Sequence, residues 1–375
     1  MNFLLSSEQL QMQQSLSRFL NQQCPPTILH RLFDAEPDDD AGVLALWNGL
    51  VDLGLAAMAV PAEHDGLGLE MIDLAIAAEI LGHNGTPGPF LGHSLATLAI
   101  ALGGNVEQRS RWLPALASGT TCATIALADH SGGWQPDEWQ LTTIDDATEA
   151  ETGITSGSLT GTVPLVPGAA HAHLIVVGLA GGALAVVEVD TFDQTATATP
   201  RHCVDRTRRL SSVTFAGARA EHLAHGAAVA HRVRDAALIL LAADAFGGAS
   251  RCVEMSIEYA KVREQFGVPI GQFQAVKHQL ADTALLVEPA RGLYWFAAHA
   301  FDHLPDDAPR VAALVKSHLT EAYLQSARRA IEIHGGTGYA WECDAHVFLK
   351  RAMFDSAYMG SPLVHRARAA ALARW

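Results

Sequence analysis

An arginine, a phenylalanine and a carboxamide lie at short spacing in the C-terminal half of the chain. Arg263, Phe266 and Gln274 belong to the stretch YAKVREQFGVPIGQFQ. Because glycine and proline interrupt helices, Gly267 and Pro269 predict a tight loop between two helices, with Gln274 at the start of the second. A guanidinium can pair with a phosphate through two hydrogen bonds, and an aromatic ring can stack on a base. The three side chains therefore suit a phosphate-bearing aromatic cofactor, although a polar connection between helices has the same composition.

A glycine cluster further along the chain, in IEIHGGTGY, supplies a second feature that could hold phosphates. Gly335 and Gly336 follow a helical run, and glycines let backbone N–H groups approach a pyrophosphate closely. Glu332 precedes them, and a carboxylate near a pyrophosphate is repulsive unless it is protonated or paired. Arg328 or Arg329, one turn earlier on the helix, is placed to offset that charge. Without such an offset, Glu332 is expected to point outward and the site to be weaker.

Taken together, the two stretches resemble motifs of the acyl-CoA dehydrogenase family. That family has an RxxFGxxxxxxQ loop, matched here by Arg263, Phe266, Gly267 and Gln274. It also has a QxxGGxGY turn, with Glu332 at the place of the Gln and matches at His334, Gly335, Gly336, Gly338 and Tyr339. The resemblance covers the whole chain in layout, and its motifs are strong after about residue 245. It implies FAD as the cofactor, an acyl-CoA as the substrate, and a set of cofactor-binding residues: Arg263, Phe266, Gln274, Glu332, His334, Gly335 and Gly336.

Composition and charge exclude several classes of protein. With 375 residues, 49% of them hydrophobic, the chain can bury a large core. The five cysteines are scattered and form no CxxC pair, so we expect a reduced, cytoplasmic setting without disulfides. No uninterrupted apolar run reaches the roughly 18 residues of a membrane span, and the histidines show no tight metal-ligand spacing. The net charge of −15 argues against a nucleic-acid partner.

The sequence changes character twice, which predicts three domains. Residues 1–118 have helical periodicity, with a short last helix that is expected to end at Pro114. In residues 119–226, Thr- and Val-rich runs alternate with Gly, Asp and Ser turns, which indicates short strands. Residues 227–375 are rich in Ala and Leu, and four or five long helices are expected there. The prediction is an α+β protein with an N-terminal helical domain, a middle β-barrel or sandwich, and a C-terminal four-helix bundle, which is the family's architecture.

The residues that perform the family's chemistry are missing from this chain. The resemblance implies a glutamate that removes the α-proton of the thioester while flavin accepts a hydride from Cβ. In the commonest position of that base, a YEGT motif, the chain has Met359, and a thioether cannot abstract a proton. Where other members place the base, on the first bundle helix, the chain has Ala237. Asp235 matches the acid of the family's DxxR motif, with Leu238 at the Arg position; it is either a displaced base or an ordinary polar helix residue.

In the family, two segments of the middle domain hold the flavin ring. The motif residues of both segments are also missing from this chain. The TEPxAGSD segment corresponds to ALADHSGGW, residues 126–134, in which the Thr and the terminal Ser-Asp are not evident. The family's WIT strand corresponds to Pro164, Leu165 and Val166, whose side chains offer no hydrogen-bond donor.

The retained residues are those that act across a subunit interface in the family, on the adenine and pyrophosphate of the neighbour's FAD. We therefore expect a partner subunit of a heteromeric acyl-CoA dehydrogenase, assembled two plus two with a homologous chain. Heteromers of this kind occur in bacterial steroid side-chain degradation, and the run WECDAHVFLKRA, residues 341–352, looks similar to theirs. Two alternatives stay open at this point: an active dehydrogenase with Asp235 as its base, and an FAD-free scaffold or binding protein of the same fold.

Overall fold

The computed structural model describes residues 4–36, 39–128, 133–148, 154–189 and 194–373. Contacts between Cα atoms divide the chain into two compact units. One unit consists of Met1–Ala35, Ala75–Pro87 and Leu238–Trp375, and the other of Glu36–Leu74 and Gly88–Ala237. The finer division into three domains at residues 118 and 226 stays a prediction.

The described residues before position 120 form six α-helices. They are α1 Ser7–Gln23, α2 Pro26–Asp34, α3 Ala41–Asp52, α4 Met71–His83, α5 Phe90–Gly103 and α6 Val106–Ala117. Ser6 begins α1 with a capping box, since its side chain accepts from the backbone N–H of Gln9 while the Gln9 side chain accepts from that of Ser6. Asn105 and Gln108 begin α6 in the same way. Local side-chain chemistry therefore sets where these two helices start.

The expected end of α6 at Pro114 is wrong. The helix continues through this proline to Ala117. Proline removes one backbone hydrogen bond, but near the end of a helix few bonds are lost, and Leu113 and Leu116 on either side are fully buried. Burial of these leucines outweighs the breaking tendency of a single proline.

Seven strands form a curled, largely antiparallel sheet between the helical parts of the sequence. They are β1 Ala123–Ala126, β2 Thr143–Thr148, β3 Thr155–Pro167, β4 Leu174–Gly178, β5 Leu184–Glu188, β6 Ala196–Pro200 and β7 Leu210–His222. Their order is β1-β4-β5-β7-β3-β2, with β6 paired to β7 and with β1 and β4 parallel. Leu159, Val163, Val187 and Phe215 are among the buried residues of its core. The sequence pattern does not predict β2 or β6; β6 is mostly exposed and so lacks a clear apolar alternation.

The C-terminal part is a helical bundle around one long helix. Its helices are α7 Gly226–Val262, α8 Gln274–Val287, α9 Arg291–His303, α10 Ala308–His334, α11 Ala345–Ala357 and α12 Pro362–Ala371. A short hairpin, β8 Glu264–Gln265 and β9 Val268–Pro269, connects α7 to α8. Helix α10 packs against α8, α9, α11 and α12. By length and composition α7 could cross a membrane, but 89% of its most apolar window is buried in the protein, as in the core helix of a globular domain.

A buried ion pair fixes α11 within this bundle. Arg351 has no exposed surface, and its guanidinium donates to both carboxylate oxygens of Asp244 on α7, at 2.9 and 2.6 Å. A third N–H of Arg351 donates to the carbonyl of Thr86 at 3.1 Å. Such a bidentate pair defines both distance and orientation. It therefore holds the middle of α11, and Met359, the residue aligned with the base of the resembled family, lies in the turn that follows this helix.

Candidate functional site

Phe266 lies at the tip of the β8–β9 hairpin in a conformation that is rare for a large side chain. Its φ is 55° and that of Gly267 is 82°, so both central residues of this two-residue turn have positive φ. Such turns favour Asn-Gly, because bulky residues are strained in the left-handed region. The Phe266 ring is nevertheless 93% exposed, and its ring contact within the described ranges is an edge contact with Phe273, with 6.1 Å between ring centroids. A strained and exposed aromatic residue is a candidate for binding another molecule.

Arg263 and Gln274 flank this tip with their side chains on the surface. The backbone N–H of Arg263 donates to the carbonyl of Tyr259 at 2.8 Å, and its carbonyl accepts from Ile270 at 2.7 Å, which closes the loop. Gln274 is the first residue of α8, as the sequence predicts. Both side chains are exposed and have no polar partner among the described residues. Their hydrogen-bonding groups are thus available to a ligand.

The glycine turn follows α10 directly and presents an open backbone. Gly335 has φ 60° and ψ −137°, a combination that is essentially restricted to glycine. A Cβ built on Gly335 or Gly336 would meet nothing within 4 Å, whereas a Cβ on Gly338 would lie 2.6 Å from the carbonyl oxygen of Ile331. Gly335 and Gly336 therefore leave room for another molecule, and Gly338 permits close packing of the turn on its own helix.

Tyr259 and His334 bring these two motifs together. Their rings stack with 4.2 Å between centroids and 27° between planes. His334 donates from Nδ1 to the carbonyl of Ala330 at 2.7 Å, and the Tyr259 hydroxyl donates to the His334 carbonyl at 3.4 Å. The stack joins the end of α7 to the end of α10, so that the Arg263 loop and the glycine turn emerge beside each other. Sequence reasoning misses Tyr259, although its place one helical turn before Arg263 is a usable signal.

Glu332 has the exposed position expected of an uncompensated charge. It lies in the last turn of α10, and neither Arg328 nor Arg329 forms an ion pair with it in the described ranges. The expected compensation is therefore not formed within this chain. A carboxylate near a helix C-terminus is also on the unfavourable end of the helix dipole. An exposed carboxylate therefore lies in the last helical turn before the glycine turn.

The position that the resemblance assigns to the base is sealed in the protein. Met359 has no exposed surface and a φ of 62°, and its carbonyl accepts from Nε2 of His365 at 2.8 Å. Lys316, also without exposed surface, donates from Nζ to the carbonyls of Gly360 at 3.1 Å and Asp355 at 2.6 Å. Burial lowers the pKa of Lys316 to about 7. The turn between α11 and α12 is therefore firmly held, but its central side chain has no acid–base group.

Asp235, the candidate for a displaced base, is the counter-ion of a buried arginine. It is 3% exposed on α7, and its Oδ1 accepts from Nε and Nη2 of Arg234 at 3.1 and 3.0 Å. Arg234 also donates from Nη1 to the Gln135 side chain and to Nδ1 of His231, both at 2.9 Å. The pairing explains why a carboxylate is tolerated there, since a buried charge needs a partner. Two donors from Arg234 bind its Oδ1, and such a pairing stabilises the charged carboxylate and so makes it a weaker base.

The described residues of β3 that align with the flavin-ring site offer no side-chain hydrogen-bond donor. Residues 129–132 of the ALADHSGGW segment lie outside the described part of the chain. In β3, Val166 is fully buried, and Leu165 has a φ of 59°. The pairing register with β7 shifts between Val163 and Val166, so Leu165 lies in a β-bulge. The bulge changes the direction of β3 at this point, and the side chains from Val163 to Val166 are all apolar.

Known proteins match this chain over most of its length. A family model described as acyl-CoA dehydrogenase, N-terminal domain, matches residues 6–120, and one described as acyl-CoA dehydrogenase, C-terminal domain, matches residues 218–373. The chain belongs to the acyl-CoA dehydrogenase family. Its helical ends and curled middle sheet are therefore the acyl-CoA dehydrogenase fold, and the family's members are flavin-dependent oxidoreductases whose cofactor is FAD.

Individual relatives agree with this assignment. Acyl-CoA dehydrogenase IpdE2 of Mycobacterium tuberculosis is 31% identical over 319 residues, which cover 85% of this chain and 83% of that protein. Acyl-CoA dehydrogenase IpdE2 of Mycolicibacterium smegmatis is 29% identical over 359 residues, 96% of each chain. Among solved structures, a single-substitution variant of the Tcur3481–Tcur3483 steroid ACAD has 28% identity and a TM-score of 0.87 over 97% of each chain.

The described residues differ in what they could offer the two ends of FAD. The exposed Arg263 and Phe266 and the open side of Gly335 and Gly336 suit an adenine and a pyrophosphate that approach from outside. We call these residues, together with Gln274, Glu332 and His334, the half-site. The buried Met359 and the apolar strand around Leu165 provide neither a base nor a hydroxyl for the flavin ring.

Proposed function

We propose that this chain is the non-catalytic subunit of a heteromeric, FAD-dependent acyl-CoA dehydrogenase. Its half-site completes the adenine and pyrophosphate end of a FAD site whose flavin ring and catalytic base lie on a homologous chain. The complex, two plus two, desaturates the Cα–Cβ bond of an acyl-CoA thioester. The three domains predicted from the sequence, with boundaries near residues 118 and 226, are those of this fold.

One contrast carries the proposal: the half-site faces outward and keeps its motif residues except at Glu332, whereas the base position is closed and lacks a base. Phe266 is 93% exposed at a φ of 55°, and Met359 is 0% exposed. Strain and exposure of an aromatic residue are unfavourable within an isolated chain, so they point to a role in an assembly. A self-sufficient enzyme would instead need a carboxylate in the place of Met359 or Ala237, or it would need Asp235 to act as the base despite its ion pair with Arg234.

The relatives support the same interpretation and suggest the class of substrate. The solved Tcur3481–Tcur3483 protein is a steroid ACAD. The structural match between the two proteins covers 97% of each chain. By this analogy we infer a heteromer and a steroid-derived acyl-CoA as its substrate. The substrate's acyl group would then be large, rigid and apolar.

Each chain has a separate task in the proposed site. When bound, FAD supplies the hydride acceptor of the reaction. In this chain, the Arg263 guanidinium would pair with a phosphate and the N–H groups around Gly335 and Gly336 would approach the pyrophosphate. Phe266 and Gln274 would hold the adenine end. The carboxylate that takes the α-proton would come from the homologous chain.

The visible absorption spectrum tests this proposal directly. The chain is purified alone and after co-expression with family chains from the same gene cluster. We expect a colourless chain alone and a yellow complex with about one FAD per pair of chains, bleached by an acyl-CoA. A yellow chain that acyl-CoA bleaches without any partner would contradict the proposal and make Asp235 the leading base. A preparation without flavin, alone and in every complex, would favour the FAD-free scaffold.

Variants of the half-site show whether this chain contributes to the cofactor in such a complex. Arg263→Ala should weaken FAD binding by about tenfold or more, since a charge-assisted, two-pronged contact is removed. Lys261→Ala is a matched control, because Lys261 is an exposed cation two residues away and outside the motif. If both substitutions weakened FAD binding equally, only the net charge of the chain would matter for that binding. The half-site would then lose its experimental basis.

A further inference from the structure

The glycine turn is anchored on its C-terminal side by an element that is remote in sequence. Gly335 and Gly336 contact nothing where a Cβ would project, and Tyr339 is 81% exposed. A glycine-rich segment loses much conformational entropy when it is ordered, so contacts elsewhere must hold it. Helix α2, near the beginning of the chain, supplies such contacts to the residues that follow the turn.

Two side chains on one face of α2 bind the segment that follows the turn. Asp34 accepts a hydrogen bond from the indole Nε1 of Trp341 at 2.8 Å. His30, one turn earlier, has its Nε2 2.7 Å from Oδ1 of Asp344, with both side chains largely buried at 18% and 20% exposure. Residues four apart on a helix share a face. The two contacts therefore hold both ends of the short stretch between the glycine turn and α11.

Aromatic packing closes the space between these two polar contacts. The Trp341 ring stacks on His346 with 4.6 Å between centroids and 23° between planes, and the His346 Nε2 donates to the Trp341 carbonyl at 2.7 Å. Phe33, fully buried on α2, meets both rings edge-on at 6.0 and 5.7 Å. The Lys350 ammonium lies 4.1 Å from the centroid of Trp341. Trp341 is thus fixed from three directions although it is 45% exposed.

We propose that His30 and Asp34 are positioning residues for the FAD half-site. They act through Asp344 and Trp341, which set the position of the glycine turn, and not on the cofactor itself. The inference rests on the proposed function, since it assigns a purpose to the order of that turn. A binding loop that is already held in its bound shape loses less entropy on binding, so its affinity is higher. Helix α2, remote from the turn in sequence, would thereby contribute to FAD affinity.

The test combines two measurements on the complex with the homologous chain. Amide hydrogen exchange of residues 335–344 reports the order of the turn, and the FAD dissociation constant reports its use. For His30→Ala and Asp34→Ala, we expect exchange to be faster by about tenfold and FAD binding to be weaker by about threefold to tenfold. His30→Gln and Asp34→Asn retain a hydrogen-bonding group and should restore most of both. Arg31→Ala is the matched control, on the same helix but exposed and outside these contacts.

The outcomes separate this inference from the proposed function. Faster exchange with unchanged FAD binding, in a complex where Arg263→Ala does weaken FAD binding, would overturn the positioning role and leave the half-site in place. Unchanged FAD binding in Arg263→Ala as well would overturn both. Asp34 is exposed, so its substitution tests the inference even where loss of the more buried His30 prevents folding.

Discussion

Tyr259 on α7 stacks on His334 of α10, with 4.2 Å between ring centroids and 27° between the ring planes. The two residues are far apart in sequence, and each closely precedes a surface loop: the Phe266 hairpin in one case and the glycine turn in the other. Because the stack fixes the ends of both helices, it determines the spacing of the two parts of the half-site. A ligand that spans an adenine and a pyrophosphate needs that spacing to be constant.

Removal of the Tyr259 ring should therefore loosen both loops at once. For Tyr259→Ala we expect FAD binding by the complex to weaken about fivefold or more, and a loss of about 1–2 kcal/mol in the free energy of unfolding. Tyr259→Phe is the control, since it retains the stack and loses only the long hydrogen bond of 3.4 Å. The measurements are FAD titration of the apo-complex and chemical denaturation. An equal loss of FAD affinity in both variants would show that the hydroxyl, and not the stack, is what matters.

At the tip of the β8–β9 hairpin, a single substitution should make the chain more stable and weaken FAD binding. Phe266→Asn places a residue that tolerates positive φ at a φ of 55° and is expected to stabilise the chain by about 1 kcal/mol. The same substitution removes the exposed ring, so FAD binding by the complex should fall about tenfold. Thermal unfolding and FAD titration are compared on the same preparation. Gly267→Ala provides the opposite control: with a φ of 82° and open space around it, it should lower stability by strain alone. Undiminished FAD binding in Phe266→Asn would remove Phe266 from the half-site.

Local helix-breaking residues explain which parts of this fold are predictable from the sequence. Glycine and proline at 267, 269 and 335 predict breaks after α7 and α10; α10 ends directly before Gly335, and α7 ends at Val262, shortly before the hairpin that holds Gly267 and Pro269. Long-range contacts are not visible in the same way. Neither the stacking of Tyr259 on His334 nor the three carbonyls bound by Lys316 follows from the residues around them. Burial at Leu113 and Leu116 likewise decides the end of α6 against the local signal at Pro114.

The features of the candidate site also differ in whether the local sequence or the folded structure determines them. The half-site residues are predicted from their resemblance to family motifs, and the structure places Arg263, Phe266 and Gln274 on the surface as such a site requires. The strain at Phe266 could not be predicted from the sequence, since a backbone angle is a property of the folded hairpin. The contribution of α2 is equally hidden, as His30 and Asp34 carry no motif and matter only through contacts with Asp344 and Trp341.

Glu332 should reduce the affinity of the half-site for FAD. It is exposed at the end of α10, and no partner neutralises it in the described portion of this chain. For Glu332→Gln we expect FAD binding by the complex to be about threefold tighter at low ionic strength, with a smaller gain in high salt because exposed charges are screened. FAD titration at two salt concentrations measures this, with Glu288→Gln as an exposed control on another helix. Weaker binding in Glu332→Gln would mean that the carboxylate instead accepts a hydrogen bond from a ligand hydroxyl or pairs with a cation of the homologous chain.

The stability of the unit that contains the sheet should depend on pH through a single buried histidine. His93 on α5 is 1% exposed; its Nε2 donates to the carbonyl of Ala56 at 3.3 Å, and its Nδ1 accepts from the backbone N–H of Ala123 at 3.4 Å. Burial disfavours the charged imidazole and lowers the pKa of His93 from 6.5 to about 4. Between these two values the unfolded chain binds a proton that the folded chain does not, so stability falls as the pH is lowered from 6.5 to 4.

For this one group the expected loss over that interval is about 3 kcal/mol. The measurement is urea denaturation at several pH values between neutrality and the lower limit of solubility. His93→Gln retains a donor and an acceptor but cannot be protonated, so its unfolding free energy should decline less steeply with acid, whatever its stability at neutral pH. His202→Gln, at an exposed position, should retain the wild-type slope. Parallel slopes for wild type and His93→Gln would show that other groups cause the acid sensitivity. They would also mean that His93 has the same protonation in the folded and the unfolded chain at each pH.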